Sequence, residues 1–204
     1  MPSPPGPVVR LGPVPRSTPV PTLVDPDREV VLRAHDEADV PRLVAQARDA
    51  PTRTWTNVPT PPDGYADADA RRFLDASRTG WREHTILSWA VTRGDPDRLD
   101  GSVHLQLLGD GRGELSYVLH PEVRGRGTMS AAVRLVLAYG FDVEQLSVVH
   151  WQAYAGNWPS WRVAEAVGFR WEGTRRRFAP HRGELRDVWT ASITADDQRP
   201  PARS

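Results

Sequence analysis

The chain has 204 residues, of which 39% are hydrophobic and 25% are charged, and its formal net charge at pH 7 is zero. This size predicts one domain with a substantial core, and the balanced charge gives no general attraction to nucleic acid or to an anionic membrane. Cysteine is absent, which excludes disulfides, cysteine metal sites and an acyl intermediate on an enzyme thiol.

The chain begins with a proline-rich segment, which predicts a disordered tail over residues 1–27. The folded domain is expected over residues 28–194, and a flexible tail over 195–204. The first half of the domain is predicted to contain a strand over 30–33, a helix from Asp36, a loop over 51–64, a helix over 68–83, and strands over 85–92, 102–108 and 114–119. The second half is predicted to contain a helix from Thr128, a strand over 146–153, a helix stopped by Gly168, and a hairpin of strands over 169–178 and 184–193. This order predicts a mixed α/β fold with helices covering a central sheet.

The segment between the strand over 114–119 and the following helix carries the strongest functional signal, Arg124-Gly125-Arg126-Gly127-Thr128-Met129. A glycine-containing turn before a helix presents backbone N–H groups at the positive end of the helix dipole, which suits phosphate oxygens. The glycines allow close approach, and the arginines add positive charge. The loop by itself is also compatible with an ordinary turn, and it is neither a Walker loop nor a dinucleotide fingerprint.

Three segments together resemble the GNAT N-acetyltransferases. Arg124-x-x-Gly127 after a strand, with Pro121-Glu122 ahead of it, looks like the coenzyme A loop of that family. The runs over residues 157–163 and 167–173 resemble the Asn-x-x-Ser…Gly-Phe segment of its ribosomal-protein N-acetyltransferase branch. The resemblance covers roughly residues 28–193. It implies a mostly antiparallel central sheet of six or seven strands, splayed into a V and flanked by about four helices.

The resemblance further implies acetyl-CoA, or another acyl-CoA, as cosubstrate, with no metal. The pantetheine arm would lie along residues 117–119, the pyrophosphate would lie around residues 124–130, and Asn157 would hold the arm. The residues assigned to the cosubstrate are Tyr117, Val118, Leu119, Arg124, Gly125, Arg126, Gly127, Thr128, Met129, Ser130 and Asn157. The family pattern has a small residue where Met129 stands. Its flexible thioether can be accommodated, with the pyrophosphate turn either displaced or more tightly filled.

Direct acyl transfer from a thioester to an amine requires deprotonation of the amine, stabilisation of the oxyanion and protonation of the leaving thiolate. Many GNAT enzymes supply the last proton from a tyrosine, but Ala164 stands at that position here. Ser160 matches a serine near the cofactor sulfur in the resembled branch, although a serine there is also a common helix cap. For the base, the resemblance favours Glu114, which could equally be a solvated carboxylate. Glu172 or a chain of water molecules are the alternatives.

By family analogy, the acceptor channel is bordered by Trp55, Asn57, Trp151 and Tyr154, and an aromatic wall of this kind suits a peptide N-terminus or a ring-bearing amine. We therefore expect an enzyme that transfers acetyl from acetyl-CoA to a primary amine of a protein or a small molecule, through a ternary complex. The alternative is a catalytically silent acyl-CoA-binding sensor or interaction module.

No apolar run is long enough to cross a membrane, and no secretion signal begins the chain, so a cytoplasmic location is expected. The six histidines show no metal-binding spacing. We expect a monomer or a homodimer that binds neither nucleic acid nor membranes.

Overall fold

The structure is a computed structural model that describes residues 19–197. Eight strands form one open sheet in the order β1-β2-β3-β4-β5-β6-β8-β7. The strands are β1 (Leu23–Asp25), β2 (Val30–Arg33), β3 (Ile86–Arg93), β4 (Gly101–Gly109), β5 (Arg112–Leu119), β6 (Val148–Tyr154), β7 (Arg170–His181) and β8 (Glu184–Thr194). The α-helices are α1 (Val40–Arg48), α2 (Ala50–Trp55), α3 (Asp67–Glu83), α4 (Thr128–Asp142) and α5 (Trp158–Ala166). In the described part of the chain, no helix has the length and apolar character needed to cross a membrane.

The predicted mixed α/β fold is confirmed, with eight strands and five helices where six or seven strands and about four helices were expected. All neighbouring strands are antiparallel except β5 and β6, which run parallel. The additional strand is β1, and the additional helix is α2.

The predicted disorder through residue 27 was wrong for residues 19–27, because Leu23–Asp25 forms a strand that pairs with β2. Pro26 begins a single 3-10 turn between the two strands. The buried indole of Trp89 donates to the carbonyl of Pro21 at 2.9 Å, since a buried N–H group needs an acceptor. A proline-rich segment can therefore be ordered by contacts that its composition does not reveal. Residues 1–18 and 198–204 of the two predicted tails lie outside the described residues.

Residues 51–55 of the predicted loop belong to the short helix α2, which begins at Ala50. The carboxylate of Asp49 accepts a hydrogen bond from the Thr52 N–H at 3.0 Å, and Pro51 occupies the first turn. Both features are helix-start signals. As a result of this helix, Trp55 stands at its last position and Asn57 follows two residues later.

The sheet has a core on each face. On one face, called here the α4 face, α4 packs against alternate strand residues that include Trp89, Leu105, Leu115 and Trp151. On the other face, called the α3 face, α1 and α3 pack around Ala90 and Leu99. Successive residues of a strand point to opposite faces, so odd-numbered residues of β5 and β6 belong to the α4 face and even-numbered ones to the α3 face.

The sheet is splayed between β5 and β6. The two strands pair only from Arg112↔Val148 to Leu115↔Trp151. Beyond that point, residues 116–119 of β5 remain paired with β4 alone, and residues 152–154 of β6 remain paired with β8 alone. The opening between them is called the β5–β6 gap. It is the splay that the sequence resemblance predicted, and it leaves one edge of β5 without a partner strand.

Candidate functional site

The loop that follows β5 is open to solvent. A 3-10 turn over Pro121–Val123 leads into residues 124–127, and α4 begins at Thr128. Gly125 and Gly127 have φ angles of 77° and 74°, a left-handed conformation that glycine adopts without a Cβ penalty. Nothing lies within 4 Å of the position that a Cβ would take at either glycine. A ligand can therefore approach the backbone closely here.

The N-terminus of α4 has no side-chain cap. The Ala131 N–H donates to the Gly127 carbonyl at 3.1 Å, and this is the first bond of the helix ladder. The N–H groups of residues 128–130 precede it and have no carbonyl partner within the helix. Together with the dipole of this 15-residue helix, they form a site suited to a phosphate group.

Met129 does not crowd this turn, contrary to the expectation from the family pattern. Its side chain is only 2% exposed and belongs to the core of the α4 face. Side chains in a first helical turn that faces a sheet can be directed into the core while the backbone N–H groups remain at the surface. The flexible thioether thus fills space beneath the helix and leaves the loop open.

The two arginines of the loop have different surroundings. The Arg124 guanidinium donates to the Asp49 carboxylate at 2.6 Å, to the Thr52 hydroxyl at 2.9 Å and to the Leu119 carbonyl at 3.1 Å. Burial alone would raise the pKa of Asp49, but the hydrogen bonds from Arg124 and Thr52 lower it below its usual value. Arg124 therefore ties the loop to α2. The exposed guanidinium of Arg126 has no partner among residues 19–197, so its charge is available to an anion.

Tyr117 lies in the β5–β6 gap on the α4 face, two residues beyond the last β5–β6 pair. Its hydroxyl donates to the Ser160 carbonyl at 2.7 Å and accepts from the Ser160 hydroxyl and the Trp151 indole N–H, both at 3.1 Å. Burial raises the pKa of Tyr117 to about 12, partly offset by the bonds from Ser160 and Trp151. The phenol is therefore neutral at physiological pH, and it holds Ser160 in the gap.

The start of α5 carries the other predicted cofactor and acid residues. The Asn157 side chain accepts from the Ser160 N–H at 3.3 Å and so caps α5. Ala164, which replaces the tyrosine of many GNAT enzymes, is fully buried. On the α4 face, the hydroxyl groups at the gap come from Ser160 and Tyr117. The sequence had assigned Tyr117 only to the cofactor arm.

Glu114 lies on the α3 face, in register with His150 at the closed end of the gap. Its carboxylate accepts from the Gln152 side chain at 3.0 Å, and Gln152 is the first residue of β6 beyond the β5–β6 pairing. Glu172, the alternative base, lies on the edge strand β7, where its carboxylate accepts from the Ser192 hydroxyl. Of the two carboxylates, Glu114 is the one on a strand that borders the gap.

Three of the four predicted acceptor residues lie together on the α3 face. The Tyr154 hydroxyl donates to the Asn57 side-chain oxygen at 2.6 Å. The Trp55 ring is 3.4 Å from where a Cβ of Gly156 would stand, just beyond the end of β6. Trp151 does not join them, because it is 1% exposed and packs on the α4 face, where its ring lies 5.7 Å from that of Trp161. A cavity of about 340 Å³ beside the group is lined by Asn57, Val58, Pro59, Thr60 and Arg182.

His181 and Arg186 also belong to this group, and neither was predicted from the sequence. The His181 ring stacks on Tyr154 with centroids 4.6 Å apart and an interplanar angle of 8°. Its Nε2 lies 3.0 Å from the Thr54 carbonyl. Thr54 precedes His181 by 127 positions, so no local spacing could have indicated the contact.

The geometry places two sets of groups on opposite faces of one sheet, joined by the β5–β6 gap. The α4 face contributes the helix N-terminus, Tyr117 and Ser160, and the α3 face contributes Glu114 and the cluster around Tyr154. Within residues 19–197, no group of three or more potential ligand side chains could hold a metal ion.

Comparisons with known proteins identify the family and the fold. The acetyltransferase (GNAT) domain family matches residues 29–170. The Bacillus subtilis (strain 168) uncharacterized N-acetyltransferase YnaD is 27% identical over 138 residues, which are 67% of this chain and 79% of that protein.

Among solved structures, a GNAT-family acetyltransferase from Bacillus anthracis has a TM-score of 0.73 at 21% identity, covering 86% of this chain and 99% of the other. Mycobacterium smegmatis RimJ in complex with CoA-disulfide has a TM-score of 0.73 at 22% identity, covering 90% of this chain and 89% of the other. These similarities show the same fold. With the family match spanning more than half of its length, the chain belongs to the GNAT acetyltransferase family.

Proposed function

We propose that this acetyltransferase moves an acetyl group from acetyl-CoA directly to a primary amine of a peptide N-terminus or a small molecule, in a ternary complex. The observation that carries the proposal is the β5–β6 gap. It connects an uncapped helix N-terminus and two hydroxyl groups on one face with a carboxylate and an aromatic cluster on the other.

The residues around the gap fit coenzyme A. The edge of β5 over residues 116–119 has no partner strand on the gap side, and such an edge can bind an extended amide-containing chain. The N–H groups of residues 128–130 and the Arg126 guanidinium suit a pyrophosphate. The solved structure of M. smegmatis RimJ, which shares the fold, contains a coenzyme A disulfide.

The reaction can be written with this chain's own groups. The neutral amine attacks the thioester carbonyl, the carbon–sulfur bond breaks, and one amine proton leaves to Glu114, directly or through water. The Ser160 hydroxyl, hydrogen-bonded to Tyr117, passes a proton to the leaving thiolate and takes one back from solvent, while Glu114 releases the amine proton to solvent, so that both groups return to their starting state. Because the chain contains no cysteine, the acetyl group cannot pass through an enzyme thiol, and direct transfer is the simpler route.

The experiment combines binding with turnover. Calorimetry measures acetyl-CoA binding, and thiol release from acetyl-CoA is followed with a panel of peptides and small amines. We expect double-reciprocal plots that intersect, as a ternary complex requires, and parallel lines would contradict direct transfer. Binding without turnover for every amine, with Ser160→Ala unchanged, would instead favour a silent acyl-CoA sensor. Failure to bind acetyl-CoA would end the proposal.

A further inference from the structure

Arg186 belongs to the group formed with Trp55 and Tyr154, called here the acceptor cluster, and its guanidinium contacts both rings. Its central carbon lies 5.3 Å from the centroids of both the Trp55 and Tyr154 rings. One terminal nitrogen donates to the Thr54 carbonyl at 3.3 Å. The other nitrogens have no hydrogen-bond partner among residues 19–197. An arginine packed against aromatic rings with spare donors is well suited to bind a carboxylate or phosphate.

The surroundings of Arg186 leave its charge uncompensated. No salt bridge to Arg186 or Arg182 forms in the described part of the chain, and the Arg182 guanidinium instead donates to the Arg53 carbonyl and the Thr60 hydroxyl. Glu184 is on the same face and is exposed, without an ion pair to a residue of that range. Burial, followed by the nearby charges of Arg186 and Arg182, lowers the pKa of His181, and the negative charge of Glu184 opposes this only in part; the imidazole therefore adds no charge at neutral pH. The cluster is positive although the whole chain is neutral.

The strand register gives the distance of this charge from the gap. Val188 of β8 pairs with Tyr154, the last residue of β6, and Arg186 lies two residues further along β8 on the same face. Gln152, at the gap, is two residues before Tyr154. Four residue steps at about 3.3 Å each correspond to about 13 Å along the strands. An anion bound by Arg186 is therefore several bonds away from an amine in the gap.

From this geometry we infer that the preferred acceptor is a peptide with an acidic side chain at its second, third or fourth residue, bound by Arg186. The inference rests on the proposed acetyl transfer and specifies its acceptor. A free α-amino acid does not fit, since its carboxylate is one carbon from the amine. A pair between a carboxylate and a guanidinium already fixed by its neighbours contributes about 10-fold to 100-fold in affinity.

The test compares matched peptides that differ at one position, with Glu or Gln at residue 2, 3 or 4 and an amidated C-terminus. For the protein with Arg186 intact, we expect the KM to be at least about tenfold lower for one of the Glu peptides than for its Gln counterpart. Arg186→Gln should abolish this ratio and leave the KM for acetyl-CoA unchanged. Arg176→Gln, an exposed arginine on the same hairpin without aromatic neighbours, should preserve the ratio.

The outcomes separate the two proposals. Equal KM values for Glu and Gln peptides, or an equal effect of Arg186→Gln on both, would overturn the acidic-acceptor inference while leaving acetyl transfer intact. Faster turnover of a small amino-phosphate than of every peptide would overturn it as well. No turnover of any amine would contradict the proposed function itself. Circular dichroism checks that each variant folds. If Arg186→Gln does not fold, the comparison of Glu and Gln peptides on the unaltered protein still tests whether an acidic side chain is preferred.

Discussion

Tyr117 places a hydroxyl beside Ser160 from strand β5, whereas Ala164, at the position of the family tyrosine, lies in helix α5. The Tyr117 hydroxyl donates to the Ser160 carbonyl and accepts from the Ser160 hydroxyl. When the Ser160 hydroxyl donates to a thiolate, its oxygen is free to accept from Tyr117. With a pKa raised to about 12, Tyr117 is a weak acid, so its role is to position and polarise Ser160.

Tyr117→Phe is therefore expected to lower kcat about tenfold or more, with little change in the KM for acetyl-CoA. Ser160→Ala should have a similar effect, because both changes break one hydrogen-bonded chain. The double variant should be no worse than the more impaired single variant. Steady-state kinetics of the three variants measures this. Fully additive losses would mean that the two hydroxyl groups act separately.

The loop arginines provide a matched pair of substitutions. Arg124→Met removes the tie to Asp49 and should lower the unfolding free energy by about 1 kcal/mol, or the Tm by about 2–4 °C. Arg126→Met should leave the Tm unchanged and weaken acetyl-CoA binding about tenfold, through the loss of a charge-assisted contact. Thermal unfolding and calorimetry distinguish the two effects. A large Tm loss in Arg126→Met would contradict the assignment of a free cation.

At the scale of elements, the start of α4 depends on the left-handed conformation of Gly127. Gly64 offers a control, because it has a φ of 82° and, like Gly127, nothing within 4 Å of a Cβ position. Alanine at either position should cost about 1 kcal/mol of stability from backbone strain. Gly127→Ala should also weaken acetyl-CoA binding several-fold, because its methyl group stands where the phosphate approaches. Equal binding by the two variants would place the phosphate elsewhere.

The spacing of apolar residues along the chain predicted those helices and strands that are specified by their own sequence. The helical spacing of apolar residues predicted α4, and the alternation of apolar and polar residues predicted β5. The V-shaped splay was predicted from the family resemblance. The strand β1 was missed because its order depends on pairing with β2 and on the Trp89 indole, which are tertiary contacts. The helix α2 could have been found from Asp49 and Pro51. Arg186 and His181 could not, since both depend on tertiary contacts with Tyr154 and with Thr54, and Thr54 is more than 120 residues away in the chain.

Over the whole molecule, we expect stability to depend on pH through histidines whose pKa is lowered in the fold, among them the buried His35 and the half-buried His104. His104 lies between the sheet and α3, with Nδ1 2.8 Å from the Ser88 hydroxyl. Burial, and secondarily the charge of His35, lower the pKa of His104 to about 3, and burial also lowers the pKa of His35. An unfolded histidine titrates near pH 6.5. The unfolded state therefore binds protons first as the pH falls, which favours unfolding.

The unfolding free energy should thus be constant above about pH 6.5 and fall below it, by up to about 1.4 kcal/mol per pH unit for each such histidine. Urea denaturation between pH 7.5 and 4.5 measures this slope. His104→Gln, which retains a hydrogen-bonding side chain, should reduce the slope over that interval. A slope unchanged by the substitution would show that other groups account for the acid sensitivity.

The separation of the two faces affects how products leave. In the proposed reaction, the thiol would depart on the side where α4 begins and the acetylated acceptor on the side of Tyr154, so neither product would block the exit of the other. The order of release then follows from how tightly each is bound rather than from obstruction. Excess coenzyme A should therefore inhibit the enzyme by competing with acetyl-CoA for its site, without blocking access of the acceptor amine.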